Sequence, residues 1–330
     1  MEIMNDTIKR TPLLSISIPT WNRAKYLAIS LESFLEEMKG INPEEIELCV
    51  SDNCSDDNTS EVVKKYIDKG LPISYYKNEE NIGASRNFLR CMQRATGKYI
   101  FLLGDDDILN PGSLSLILNS LRDKSYGIVH IHKYANVSEE FKEYTDLESF
   151  YKQISFWFTF VSGSIFRKEV VEMIDSERYI DTRLLQLPYF IKSAQLSSQN
   201  LLINKPVLKE GLDISSNGGY NFYEVFVQNY LNIWKDFLQQ NFLTIECYKS
   251  LKKDVYVNYI HHYNYRLLIK HEGVKDENNV GKGGRKGFKI AGAKSILMKY
   301  YGSCGYFYWS IIKINLRNYY TLVRVLFKKW

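Results

Sequence analysis

Three consecutive carboxylates, Asp105, Asp106 and Asp107, stand directly behind the apolar run from Tyr99 to Leu103 in GKYIFLLGDDDIL, and Ile108 and Leu109 turn the chain apolar again. Adjacent anions raise one another's pKa unless a cation neutralises them. The corner therefore calls for positive charge. A solvated turn with helix capping accounts for one or two acids, not for three behind a buried strand. A hard divalent ion, Mg2+ or Mn2+, held through one or two carboxylates with phosphate oxygens and water completing its shell, satisfies them.

The acids need a frame, and the preceding sequence supplies one. Leu13 to Ile18 reads as a buried parallel strand stopped by Pro19. In NRAKYLAISLESFLEEM the apolar positions Tyr26, Leu27, Leu31, Phe34 and Leu35 recur at steps that predict an amphipathic helix. A second strand is expected from Ile46 to about Ser51, and Asp57, Asn58 or Thr59 is placed to cap the helix SEVVKKYI. ISYYKN reads as a third strand, EENIGASRNFLRCMQRATG as a helix with Phe88, Leu89 and Met92 inward, and Tyr99 to Leu103 as a fourth strand. This alternation predicts an α/β fold with a parallel sheet flanked by helices. In such sheets ligands sit beyond the carboxyl ends of the strands. Four polar loops converge there: PTWNR, SDNCSDD, the stretch from Asn78 to Asn87, and GDDD. Further strand pieces are expected at YGIVHIHKY and FVSGSIFRK. From Tyr220 the pattern turns helical, with Phe222, Val225, Phe226, Tyr230, Ile233, Trp234 and Phe237 at helical spacing.

Taken in order and spacing, LLSISIPTWNRAKYL, LCVSDNCSDDNT and NEENIGASRNFLRCMQRATGKYIFLLGDDDIL resemble the family 2 glycosyltransferases, over residues 11–125 and more loosely to 200. The resemblance implies a GT-A fold, a Rossmann-like, mixed and mainly parallel sheet flanked by helices, here with a helical C-terminal extension. It implies that Pro19, Thr20, Asn22 and Arg23 form the first nucleotide-binding loop and that Asp52 accepts a hydrogen bond from the base. Asn81, Gly83 and Asn87 match the NxG...N loop, where Arg86 meets phosphate. The acids match the DxD region with a departure: the usual LDADD is LGDDD here, so Gly104 takes the place of the first aspartate. The alignment puts Asp106 at the metal ligand and leaves either Asp105 or Asp107 to assist it; Asp107 is taken as the second metal ligand and Asp105 as a donor-binding residue. GDDD also resembles the abequosyltransferase-like relatives. Ordinary explanations stand beside these: Asn22 and Asn81 as turn residues, Asp56 and Asp57 as caps, Arg86 as the partner of a nearby acid.

The family's reaction is displacement of a nucleotide diphosphate from an anomeric carbon with inversion, which requires a carboxylate base on the opposite face. In VSGSIFRKEVVEMIDSERYIDTRLLQL, Asp181 has the best layout for that base, ahead of the expected helix TRLLQLPYFIKSA. Asp175 and Glu177 are alternatives, and Asp181 as that helix's N-cap is an equal reading. His130 with His132, and His261 with His262, are read as structural.

Composition sets outer limits. Five scattered cysteines without a CxxC pair indicate neither a disulfide framework nor a zinc cluster. The opening MEIMNDTIKRTP lacks the pattern of a secretory signal. The net charge of +5 conceals a split: residues 278–330 hold eleven Lys or Arg and no acid. In the tail Lys313, Arg317, Arg324 and Lys328 recur at helical spacing among aromatic and aliphatic residues, the pattern of a membrane-interface helix. Its uncharged run from Tyr300 to Ile312 is too short to span a bilayer. The expected organisation is a catalytic domain at 1–210, a helical extension at 211–276 and a basic aromatic tail at 277–330. The expected partners are a nucleotide-diphosphate sugar, a UDP-sugar first, a glycan or lipid-linked glycan acceptor and a membrane surface, with no nucleic acid. The expected place is the cytoplasm, peripheral at the inner face of the cell membrane. The competing class is a non-catalytic, membrane-associated nucleotide-sugar binding protein.

Overall fold

The computed structural model describes residues 11–209, 219–264, 266–267, 287–310 and 312. The stretch ENNVGKGGRKG from Glu277 to Gly287, which reads in sequence as a linker, lies outside the described residues except for Gly287, as do the cations Lys313, Arg317, Arg324 and Lys328. The chain forms two compact units, one of residues 1–150 and 157–213, the other of 151–156 and 214–330.

The first unit opens with β1 (Leu14–Thr20), α1 (Ala24–Glu37), β2 (Ile46–Asp52), α2 (Thr59–Asp68), β3 (Ile73–Lys77), α3 (Ala84–Arg94) and β4 (Tyr99–Leu102). The chain continues with α4 (Ser113–Asp123), β5 (Ile128–Ile131), β6 (Phe141–Tyr144), α5 (Leu147–Ile154), whose residues from Tyr151 on belong to the second unit, β7 (Ser164–Arg167), α6 (Gln186–Ala194) and β8 (Asn200–Ile203). The eight strands lie in the order β3-β2-β1-β4-β7-β5-β8-β6. Pairs β1–β2, β2–β3, β1–β4 and β5–β8 are parallel, and β4–β7, β5–β7 and β6–β8 antiparallel. The sheet is mixed, as expected. Every residue of β1, β2 and β4 is buried; β4 is apolar throughout, while β1 interleaves Ser15 and Ser17 with its aliphatic residues and β2 carries Glu47. From β1 the chain winds out through β2 to β3, then returns to place β4 on the other side of β1. That reversal opens a crevice beyond the tips of β1 and β4, where ligands bind in open α/β sheets.

Pro19 does not stop β1, which runs on to Thr20. Residues along a strand bond alternately to its two sides. The Ser17 carbonyl accepts from Leu103 N–H on the β4 side, and the Thr20 carbonyl from Asn53 N–H on the β2 side, both at 2.9 Å. Pro19 therefore faces the β4 side, beyond the last β1–β4 pair at Ser17 and Leu102, where its missing N–H leaves no ladder bond unmade. In α3, Leu89 and Met92 are buried as expected, while Phe88 is half-exposed and Asn87 takes the inward position. The helix expected over TRLLQLPYFIKSA begins only at Gln186, because Arg183 adopts a left-handed conformation with φ 59°.

The second unit holds a π-helical turn (Glu224–Asn229) leading into α7 (Tyr230–Gln239), then α8 (Ile245–Val255), which passes through a π turn (Tyr256–Ile260) into α9 (His261–Asn264). Thr244 caps α8 through the Cys247 N–H at 3.2 Å. After the gap come α10 (Ala293–Tyr301) and a helical turn over residues 305–310. The core of this unit is aromatic: Trp234 packs on Tyr151 at 5.1 Å, and Tyr256 on Tyr301 at 4.6 Å. Phe226, expected inward, is only half-buried. Among the described residues no helix is long and apolar enough to cross a membrane.

Candidate active site

The positive charge demanded by the acid triplet is present in the chain itself. Arg23, just past the tip of β1, donates from Nε to Asp105 Oδ1 and reaches Asp106 Oδ2 with Nη2, each at 2.8 Å. Thr20 Oγ1 donates to the other Asp105 oxygen at 2.6 Å. Asp107 turns inward, where its Oδ2 accepts a short hydrogen bond from Ser162 Oγ. Ser162 Oγ in turn accepts from the Gly104 N–H at 2.9 Å. Burial pushes the Asp105 carboxyl up to about 6 against the opposing pull of Arg23 and Thr20. Burial likewise pushes Asp107 up to about 6, with Ser162 opposing and Asp106 adding to the rise. Asp106 is the most open of the three, with its side chain 20% exposed.

Gly104 explains the departure from LDADD. A Cβ added there would lie 2.8 Å from Asp107 Oδ2 and 3.2 Å from Asp106 Oδ1. The two carboxylates converge on the space that a side chain at position 104 would fill. Among the described residues no group of three or more His, Cys, Asp or Glu is arranged to hold a metal ion. Two carboxylates are nonetheless the number that Mg2+ takes from protein when phosphate oxygens and water supply the rest. The acid pair over Gly104 fits such an ion.

The loops after β2 and β3 form a second cluster. Asp52 is fully buried, and its carboxylate accepts from Tyr75 Oη at 2.6 Å and Ser55 N–H at 2.9 Å. Asn22 sits in the left-handed region at φ 53°, accepts from Asp56 N–H at 2.9 Å, and donates its own N–H to Ser55 Oγ at 2.9 Å. This is the geometry of a turn residue that ties two loops. Asp57 acts as a cap for two helices at once, taking Ala24 N–H at 3.0 Å and Thr59 N–H at 3.1 Å. Asn81 Oδ1 accepts from Asn53 Nδ2 at 2.8 Å and Gly83 N–H at 3.0 Å. Gly83, at φ 82°, sets the entry to α3. Asn87 is buried against β2: it donates to the Ser51 carbonyl at 2.9 Å and accepts from Ser51 Oγ and Asn78 Nδ2.

The third group faces α3. Arg86 makes a two-pronged, solvent-exposed ion pair with Glu177 at 2.8 and 3.0 Å. Asp181 lies exposed on a 3-10 turn and, with Ile180 and Arg183, lines a cleft of ≈ 200 Å³ against Ile82, Gly83, Ala84, Ser85 and Arg86. It does not cap α6, whose start at Gln186 lies downstream and carries no side-chain capping bond. The structure thus joins Thr20, Arg23, Asp105, Asp106 and Asp107 in one cluster, Asn22 and Asp52 in a second, and Gly83, Arg86 and Asp181 in a third. His130 is buried between Ser164 Oγ at 2.9 Å and Tyr134 Oη at 3.1 Å, and His132 stacks on Trp157. Burial holds both imidazoles below the ordinary histidine pKa.

Sequence reasoning missed Ser162, Tyr75 and the Asn53–Asn78 pair. Ser162 carries a signal, since it lies in VSGSIFRK, which reads both as a strand piece and as the lead-in to Asp181.

A family model described as glycosyl transferase family 2 matches residues 15–185, just over half of the chain. Over 106 residues the chain is 40% identical to abequosyltransferase RfbV of Salmonella typhimurium, covering 32% of this chain and 31% of that protein. Over 169 residues it is 28% identical to GalNAc(5)-diNAcBac-PP-undecaprenol beta-1,3-glucosyltransferase of Campylobacter jejuni, covering 49% of this chain and 53% of that one. The matched stretches thus span about a third to a half of these relatives' lengths. Mannosyltransferase PcManGT from Pyrobaculum calidifontis, solved in complex with GDP-Man and Mn2+, superimposes with a TM-score of 0.54 at 16% identity, covering 78% of this chain and 72% of that one. That likeness is one of fold, and the fold is GT-A.

Proposed function

The chain belongs to glycosyl transferase family 2, and from that premise we propose that it moves a sugar, with inversion, from a nucleotide-diphosphate donor to a glycan. A UDP-sugar is the first expectation for the donor. The acceptor is proposed to be a lipid-linked glycan of surface polysaccharide synthesis, met at the cytoplasmic face of the membrane. The undecaprenol-linked substrate in the name of the Campylobacter relative supports that choice.

One observation carries the reading: two carboxylates converge over Gly104 beside Arg23, at the crevice where the sheet reverses its winding. Asp106, assisted by Asp107, would hold Mg2+ or Mn2+, which when bound supplies a Lewis acid for the charge that grows on the leaving diphosphate. Arg23 bridges Asp105 and Asp106 and fixes their orientation. Arg86 is proposed to exchange Glu177 for a diphosphate oxygen, a cheap exchange because exposed ion pairs are weak. Asp52 is proposed to address the base, with Tyr75 and Ser55 holding its carboxylate in place. Asp181 is proposed to take the proton from the acceptor hydroxyl. The acceptor oxygen then bonds to the anomeric carbon from the face opposite the diphosphate, and the old C–O pair leaves with the diphosphate.

The test is release of nucleotide diphosphate from UDP-, GDP-, CDP- and TDP-sugars with Mn2+ in the presence of acceptor glycans, comparing the natural chain with Asp106→Ala. Release that stops in the variant supports the assignment; release that is undiminished overturns it. Donor binding without any turnover would select the binding-protein class instead.

A further inference from the structure

Within the second unit, α10 buries Ala293, Leu297 and Tyr301 along one line. Its other side presents Met298, 46% exposed, with the exposed Lys294 one turn earlier and Lys299 beside it. The turn over residues 305–310 is built the same way. Phe307 and Ser310 are buried, and both meet Tyr256, the ring at 5.6 Å and the hydroxyl at 2.6 Å. Tyr308, Trp309 and Ile312 stand outward at 46%, 57% and 55% exposure. The two helical pieces meet at Gly302: Met298 Cε is 3.3 Å from where its Cβ would be, and Tyr308 Oη donates to its carbonyl at 2.7 Å. Met298 and Tyr308 thus both lie against Gly302, and Ile312, four residues after Tyr308 and three after Trp309, is on the same side as both.

Single exposed apolar residues carry no message, but a contiguous group does. Here the group is rimmed by Lys294 and Lys299, and no acid occurs anywhere from residue 278 to 330. We propose that this strip is a docking surface for an anionic phospholipid bilayer. Aromatic rings flanked by lysines belong at the headgroup level, with aliphatic and thioether side chains below them. The lysines meet the negative surface charge. A nucleic acid would engage the same lysines and leave Met298 and Ile312 in water, so the bilayer fits more of the surface. The surface rests on the functional reading above for its purpose, bringing the chain to a lipid-linked acceptor.

The experiment is flotation of the full chain with vesicles of phosphatidylcholine alone or with phosphatidylglycerol added, at low and high salt. The natural chain floats with the anionic vesicles. Combined replacement Tyr308→Ser, Trp309→Ser and Ile312→Ser weakens partitioning about tenfold, while Lys294→Glu with Lys299→Glu weakens it mainly at low salt. Circular dichroism shows that the variants are folded, and nucleotide release in detergent, unaffected by these replacements, reports the catalytic reading separately. A natural chain that stays with the unbound protein overturns the proposal. So does a triple variant that floats undiminished, or binding abolished by salt and indifferent to the aromatic residues, the behaviour of a polyanion site.

Discussion

At the tips of β1 and β4 each carboxylate is held by a side chain from another element: Asp105 by Thr20 and Arg23, Asp106 by Arg23, Asp107 by Ser162. Across the cleft from α3, Asp181 stands exposed on a short turn, beside an Arg86–Glu177 pair that water surrounds on both partners. One side is set in advance; the other is left adjustable. On the proposed reading the fixed side meets the leaving diphosphate, whose charge and shape are the same with any sugar attached, and Arg86 joins it from the adjustable side only on leaving Glu177. An acceptor hydroxyl arrives on a larger and more variable molecule, and an exposed acid on a turn leaves it room.

The contrast breaks first at Asp106. Replacing it by alanine lowers turnover by roughly 10²–10³-fold, measured as nucleotide diphosphate release, while the melting temperature hardly moves because this is the least buried of the three acids. Asp181→Asn comes next, with kcat down about a hundredfold and donor affinity unchanged by calorimetry; equal losses in both would place Asp181 with the donor instead. Arg23→Ala separates structure from chemistry. It strands a buried Asp105, and after allowing for the partial exposure of Arg23 the cost is about 2 kcal/mol in denaturant unfolding.

A smaller effect tests neither side and serves as a control. His130 is buried with its pKa held below the ordinary value, so the folded state binds fewer protons than the unfolded state. Its share of stability is present above about pH 6.5 and is lost as pH falls from there, by up to about 1.4 kcal/mol per unit. A His130→Gln variant flattens that slope in urea titrations between pH 7 and pH 5. The smallest change belongs to Glu177→Ala, which frees Arg86 and shifts the donor KM by less than about fivefold. A large loss there would show that the adjustable side is in fact fixed.

The strands and helices as far as β4 were legible because β1, β2 and β4 are short stretches dominated by buried Ile, Leu, Val and aromatic residues, and the intervening helices keep a clean period. Beyond β4 the signals thin out. Strand β6 is FKEY, an edge strand with Phe141 46% exposed, and β8 is only four residues long. The start of α6 was illegible because Leu184 through Ile191 is buried without a break and so offers no period to read. The three acids were found by their clustering. Their partners were not, since Arg23 lies 82 residues before Asp105 and Ser162 lies 55 residues after Asp107. Only the placement of β1 and β7 on either side of β4 brings those two residues to the same corner.

The double role of Asp57 has a mechanical consequence. One carboxylate anchors the first turns of α1 and α2, and Asn22 stitches the loops in front of them together. Those loops do not swing like separate fingers: to part them, the bonds of Asp57 to Ala24 and of Asn22 to Asp56 and Ser55 must all break. On the proposed reading, a nucleotide pressed against either loop would lean on a single braced wall.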